Sequence, residues 1–171
     1  IINNTRTTDT VIRRELELVE GDAFNSLKLE RSLRNVRNLG YFADVSVRNI
    51  AGSRAEQTIT EIEVEEQSTG ELSFGVGYSS LDKGSFNVGI NERNFLGTGR
   101  GLEATIGTSD SRTDIRIGVT EPYLLGRNLR GNAAIFNQQI EQNSTTVDRT
   151  GVDFGVRFRA ANNIYHRVGY K

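Results

Sequence analysis

The sequence predicts a two-part chain: a small α+β domain over residues 1–67, then an antiparallel β region over residues 70–171 patterned like the strands of a membrane barrel. Three observations predict it. The helical spacing of apolar residues stops near residue 67. From residue 70, large apolar residues alternate with small or charged ones in stretches of about ten, the length a tilted bilayer-crossing strand needs. Glycine is abundant, at 18, while proline occurs once, at Pro122, a balance foreign to collagen-like and disordered chains alike.

The elements of the first part follow in order. "IIN" reads as the end of a first strand. "TTDTVIRRELELVEG" predicts a helix capped by Thr8 or Asp9, running through Val19 and stopped by Gly21. "NSLKLERSLRNVRNLG" predicts a second, capped by Asn25 or Ser26, with Leu29, Leu33 and Val36 as one apolar stripe and Gly40 just past the last turn. Two strands follow: "YFADVSVRNI", with Val45 and Val47 on one side, and "QTITEIEVEEQ", with Ile62 and Val64 opposite Ile59, Glu61 and Glu63. So sparse an apolar set predicts a small sheet covered by two helices on one face.

The second part reads as about seven strands of bilayer-crossing length. "GELSFGVGYSS" sets Leu72, Phe74, Val76 and Tyr78 against Ser73, Gly75, Gly77 and Ser79. "SFNVGINERNFLGTG", "GLEATIGTS" and "TDIRIGVTEPY" continue the alternation, and "GVDFGVRFRA" shows it most cleanly. "RGNAAIFNQQIEQ" is strand-like but poorly phased, and "NIYHRVGY" begins another strand. A soluble sandwich would alternate in the same way. Two details favour the membrane: the polar face carries small and charged residues without breaking the run, and the turns differ in kind. "LDKG" and "SDSR" are tight, whereas "NERNFLGTGRG" and "EPYLLGRN" set Phe95, Leu96, Tyr123 and Leu124 beside glycines, as suits a membrane–water interface.

Composition removes several classes of function. Lys+Arg 21 against Asp+Glu 22 leaves a formal charge of -1, without the basic excess of a nucleic-acid binder. The absence of cysteine rules out disulfides and thiolate zinc sites, and one histidine, His166, makes an imidazole metal cluster an unattractive reading. No apolar run approaches the roughly 18 residues of a transmembrane helix. No signal peptide is visible at "IINNTR", the alternation is still running at "RVGYK", and the chain reads as part of a longer one.

Other signals have ordinary readings. "GTGRGLE" has G-x-G spacing, but another alternating stretch follows it where a phosphate loop needs a helix, so it reads as a turn. Glu92 with Glu103, or Asp110 with Asp114, read as lumen or loop charge before paired catalytic acids. Arg116, Arg157, Arg159 and Arg167 read as a solvated wall opposite Glu103 and Asp153. His166 shares the apolar phase with Ile164, Val168 and Tyr170.

"LRNLGYFADVSV" resembles the end of a POTRA domain, and "STGELSFGVGYSS", "NFLGTGRG" and "TEPYLLG" resemble the opening strands of the BamA-type outer-membrane assembly factors, in the family's order. The resemblance implies a membrane-proximal α+β POTRA domain at 1–67, its first strand truncated, in the periplasm. At 70–171 it implies the N-terminal strands of an incomplete outer-membrane β-barrel. It implies a non-enzymatic role without cofactors: folding and inserting β-barrel proteins into the outer membrane. Partners would be nascent outer-membrane β-barrel proteins, accessory lipoproteins of the assembly complex, periplasmic chaperones and outer-membrane lipid, with no nucleic acid.

In that family the first barrel strand forms a weakly closed seam with the last. Here the strand is Glu71, Leu72, Ser73, Phe74, Gly75, Val76, Gly77, Tyr78, Ser79 and Ser80. Each interior glycine costs about 0.5–1 kcal/mol relative to alanine, and a weak seam keeps an edge open for client strands. The bland alternative is that Gly75 and Gly77 relieve crowding or allow a bend. The resemblance also makes Arg13, Arg14 and Glu17 candidates for a lipoprotein contact, with a plain solvated helix face as the alternative. A POTRA-gated secretion or translocation pore is the second functional reading, and a soluble β-rich interaction module the third.

Overall fold

The computed structural model describes residues 1–54, 56–80, 83–142, 145–161 and 164–170. It divides into two compact units: residues 1–69 with 96–99, and residues 70–95 with 100–171.

The first unit holds α1 (Asp9–Arg13), α2 (Ser26–Asn38), β1 (Phe42–Ala51) and β2 (Thr58–Glu66). β1 and β2 pair antiparallel, and Ile2 bridges to Glu63 in parallel on the far side of β2, the remnant of strand expected at "IIN". Asn25 is the cap of α2, its side chain accepting from the Lys28 N–H. Leu29, Leu33 and Val36 turn inward as the stripe requires, and meet Val11, Ile12, Val45, Ile62 and Val64 in one buried cluster. Gly40 follows the helix in the left-handed region, at φ 68°, where glycine carries no Cβ penalty.

The first helix is shorter than its sequence suggests. It ends at Arg13 rather than Val19. Beyond it the spacing becomes two, so that Leu16 and Leu18 both reach the core cluster. Long-range bonds fix the extended path: the Glu17 N–H donates to Ser32 Oγ at 2.8 Å, and Asn35 Nδ2 donates to the Glu15 carbonyl at 3.2 Å. Thr8 makes no side-chain cap; its hydroxyl donates to the Gly97 carbonyl instead.

The second unit is a single antiparallel sheet of β3 (Gly70–Ser79), β4 (Lys83–Phe95), β5 (Arg100–Ser109), β6 (Arg112–Glu121), β7 (Leu129–Gln142), β8 (Thr145–Ala161) and β9 (Ile164–Tyr170). Each strand pairs with its chain neighbours, and among the described residues β3 and β9 each have one strand partner. Ser80, expected within the first strand, falls in the following turn. Leu81 and Asp82 of "LDKG" lie outside the described residues. "SDSR" is tight, with two residues between β5 and β6, and "GTGRG" is a turn running into β5.

Candidate functional site

The ladder registers sort the seven strands into two faces. One carries Phe74 opposite Val88, Val88 opposite Ile106, Ile106 opposite Ile115, and Ile135 opposite Val152. The other carries Gly75 opposite Asn87, Asn87 opposite Gly107, Thr105 opposite Arg116, and Asn132 opposite Gly155. The apolar face is bare: Leu72, Phe74, Val76 and Tyr78 are 57–85% exposed, and Phe86, Ile90, Ile117, Phe154 and Val168 are exposed with them. This overturns the soluble-sandwich reading, because a sandwich buries that face against a second sheet. A continuous bare apolar face opposite a polar one is the surface of a membrane barrel.

β3 pairs with β4 over ten uninterrupted positions, from Gly70–Glu92 to Ser79–Lys83, so its glycines do not interrupt the ladder. They make room across it. A Cβ at Gly75 would overlap the Asn87 side chain, and one at Gly77 would come 2.8 Å from Ser85 Oγ. The same arrangement recurs where Asn132 leans over Gly155 and the Phe136 ring covers Gly151. That last pair explains the poor phase of "RGNAAIFNQQIEQ": Phe136 is a large ring on the polar face, housed by a glycine on the next strand. Gly75→Ala should therefore cost about 1 kcal/mol in the barrel's urea titration. Adding Asn87→Ala should recover most of it, because the interior glycine is itself unfavourable by about 0.5–1 kcal/mol. Equal values for the single and double variants would show that Gly75 is not there to seat Asn87.

The polar face is partly paired. Arg116 Nη1 meets Asp153 Oδ2 at 2.7 Å, and Asp114 takes Arg112 and Gln138. Arg157 and Arg167 lie on the same face but bond to neither Glu103 nor Asp153. Glu92 and Glu103 fall on opposite faces, so the sheet does not bring them together as a pair of acids. His166, on the apolar face, stacks on Phe158 with ring centroids 5.7 Å apart.

The three candidates in the first unit do not share one exposed face. Arg13 is exposed and pairs with Asp9 at 3.7 Å and with Glu20. Glu17 lies 3.6 Å from Arg31. Arg14 is largely covered, its side chain 15% exposed and 3.7 Å from Glu15. Nothing in the sequence marks the group that organises residues 5–7. Glu66, at the end of β2, accepts from the Thr5 hydroxyl at 2.8 Å, the Arg6 N–H at 2.9 Å and the Thr7 N–H at 2.6 Å. Burial raises its pKa, but the bonds from Thr7, Arg6 and Thr5 outweigh burial and bring it down to about 2.

A small α+β domain followed by a two-faced antiparallel sheet of bilayer-length strands defines the class of POTRA-plus-barrel membrane proteins. Residues 1–67 match the POTRA family, described as a surface antigen variable number repeat, and residues 94–171 match the Omp85 superfamily domain. The chain thus carries a POTRA match and an Omp85 match in succession, and it resembles the BamA-type proteins. It is 30% identical over 141 residues to the outer membrane protein assembly factor BamA of Buchnera aphidicola, a match covering 82% of this chain and 23% of that one. In fold it is similar to BamA of Haemophilus ducreyi lacking POTRA domains 1–3, at a TM-score of 0.85 and 24% identity, over 97% of this chain and 32% of that one. It is also similar to CdiB from Acinetobacter baumannii, at 0.54 and 14%, over 92% and 32%. The chain spans under a quarter of the length of the curated relatives it matches.

Proposed function

We propose that this protein is an assembly factor of the outer membrane, with residues 1–67 as its membrane-proximal POTRA domain in the periplasm and residues 70–171 as the first strands of its barrel. Its work is non-enzymatic. A nascent outer-membrane β-barrel protein presents a strand, and β3 offers it a backbone template, lowering the cost of starting strand pairing in a medium where unpaired backbone groups cost several kcal/mol each. The observation that carries this reading is β3 itself, with two interior glycines and a bare stripe of Leu72, Phe74, Val76 and Tyr78. Arg13 and Glu17, both exposed, are offered to an accessory lipoprotein, and Arg14, largely covered beside Glu15, is not.

The test uses the absence of cysteine from residues 1–171, with any cysteine elsewhere in the protein first replaced by serine. Single cysteines replace Ser73 or Ser79 in the native protein, and a stalled client carries cysteines along its C-terminal strand. Disulfides in one consistent register are expected. Crosslinks confined to polar-face positions such as Arg157 would instead favour the secretion-pore reading.

A further inference from the structure

The end of the sheet where β3 begins carries a charged pair on its apolar face. Leu102 on β5 lies opposite Val119 on β6. Two residues further along each strand, on the same face, stand Arg100 and Glu121. Arg100 Nε donates to Glu121 Oε2 at 2.6 Å, and the Tyr123 N–H donates to Glu121 Oε1 at 3.0 Å. The carboxylate is held from two sides and in turn fixes the guanidinium. β5 and β6 each have both ladder neighbours in the sheet, so the pair is interior to it.

Apolar residues frame this pair. β4 bulges between Glu92 and Phe95, three steps along it matching two along β5, and the extra residue brings Phe95 onto the apolar face opposite Arg100. On β7, Gly131 lies opposite Glu121, and a Cβ there would come 3.1 Å from Leu124 Cδ2. Leu124 therefore folds back over the place of the missing side chain, on the apolar face. Its neighbour Leu125 is 87% exposed at φ 56°, a conformation disfavoured for L-residues. A charge on the lipid-facing side of a barrel is most costly at the bilayer midplane and least costly at its surface. Phe95, Arg100, Glu121 and Leu124 together suit the depth where acyl chains give way to headgroups. β3 follows directly on the periplasmic domain, so that depth belongs to the leaflet facing the periplasm.

We propose that Arg100, positioned by Glu121, binds the phosphodiester of a phospholipid in that leaflet, while Phe95 and Leu124 meet its acyl chains. The Arg100 side chain is 57% exposed, and among the described residues Glu121 is its one ion-pair partner. That pair engages Nε–H, and the fork's four other N–H donors match two phosphate oxygens at once. The site also continues the bare apolar face, so a lipid lying against Leu102 and Val119 brings its phosphate to the level of Arg100. The inference rests on the outer-membrane placement of the sheet and not on how β3 is used.

The first test is made on the full-length protein in vesicles of palmitoyl-oleoyl phosphatidylethanolamine and phosphatidylglycerol, any other cysteine being replaced by serine. Single cysteines at Leu125 and at Ile117 carry a bimane fluorophore, and the quenchers are lipids with a nitroxide on the headgroup or deep in the acyl chain. Leu125 is expected to be quenched most by the headgroup nitroxide, and Ile117 by the chain nitroxide. Silence at Leu125 with Ile117 quenched would overturn the site. Silence at both would overturn the membrane placement on which it rests.

The second test is binding of palmitoyl-oleoyl phosphatidylethanolamine to the detergent-solubilised full-length protein, read by native mass spectrometry. Arg100→Gln is expected to weaken the binding of one such lipid by about tenfold, the loss of one charge-assisted contact. The double variant Arg100→Gln with Glu121→Gln leaves no stranded carboxylate and should show the same loss. Dioleoylglycerol, which has no phosphate, should bind all three proteins alike. Undiminished phosphatidylethanolamine binding by both variants, or an equal loss for dioleoylglycerol, would overturn the proposal.

Discussion

Replacing Gly97 by alanine is expected to destabilise the first unit by about 3 kcal/mol or more, a loss at the severe end for one added methyl group. Gly97 sits at φ 71°, between Leu96 at 52° and a turn that closes through Gly99 at 73°. Two separate costs fall on the alanine. The left-handed conformation costs an L-residue roughly 1–2 kcal/mol. The new Cβ would also overlap the Arg6 carbonyl and come 3.2 Å from Thr7 Cα. These are backbone atoms, and they cannot step aside. The Arg6 and Thr7 N–H groups are held by Glu66 on the other side, while the Thr8 N–H donates to the Gly97 carbonyl at 2.9 Å. Gly126 provides the control. Its φ is 69°, but a Cβ there would meet nothing within 4 Å, so Gly126→Ala should show the conformational cost alone, about 1 kcal/mol. Urea titrations followed by circular dichroism of the detergent-folded protein compare the two. Equal losses would mean that the 96–99 turn does not press on Arg6 in solution.

What was legible in the sequence is what depends on local period. α2 declared itself through Asn25, a three-position stripe and Gly40, all within sixteen residues. The barrel strands were legible because period two is strict when one face meets lipid, and a single error in register would move every apolar side chain to the wrong side. Legibility failed where distant residues decide. Residues 15–19 carry helix-forming side chains, yet Asn35 takes the Glu15 carbonyl and Ser32 the Glu17 N–H, and the helix does not continue. Phe136 looked out of phase because the glycine that houses it is fifteen residues away. The bounds of β3 are legible to within one residue, but the partner that explains Gly75 is Asn87, on another strand. Nothing in "NLRGN" sets Arg130 apart until the ladder puts it beside Arg157. Glu66 was equally silent: its donors are 59–61 residues earlier in the chain.

Glu66 sets the pH response of the first unit. Its carboxyl titrates at about 2 when folded, against 4.5 ordinarily. A carboxyl whose folded pKa is depressed binds fewer protons in the native state than in the unfolded one. Its contribution is therefore fully present above pH 4.5, declines as pH falls, and is gone below about 2. The depression corresponds to at most about 3 kcal/mol, with the side chain only 6% exposed and little screened. Glu66→Gln should lower stability at pH 7 by up to that amount, since the amide keeps one acceptor oxygen for three donors. The two proteins should converge as pH falls from 4.5 toward 2, because the variant has nothing at this position to protonate. A constant gap across that window would mean that the charge is not what holds residues 5–7. The two largest effects should also be coupled. Glu66 holds the Arg6–Thr7 backbone on one side while the Gly97 turn abuts that backbone on the other, so Glu66→Gln frees the strap that Gly97→Ala would strike. The double variant should lose less than the sum of the single losses. Strict additivity would separate the two grips and leave each acting on its own segment.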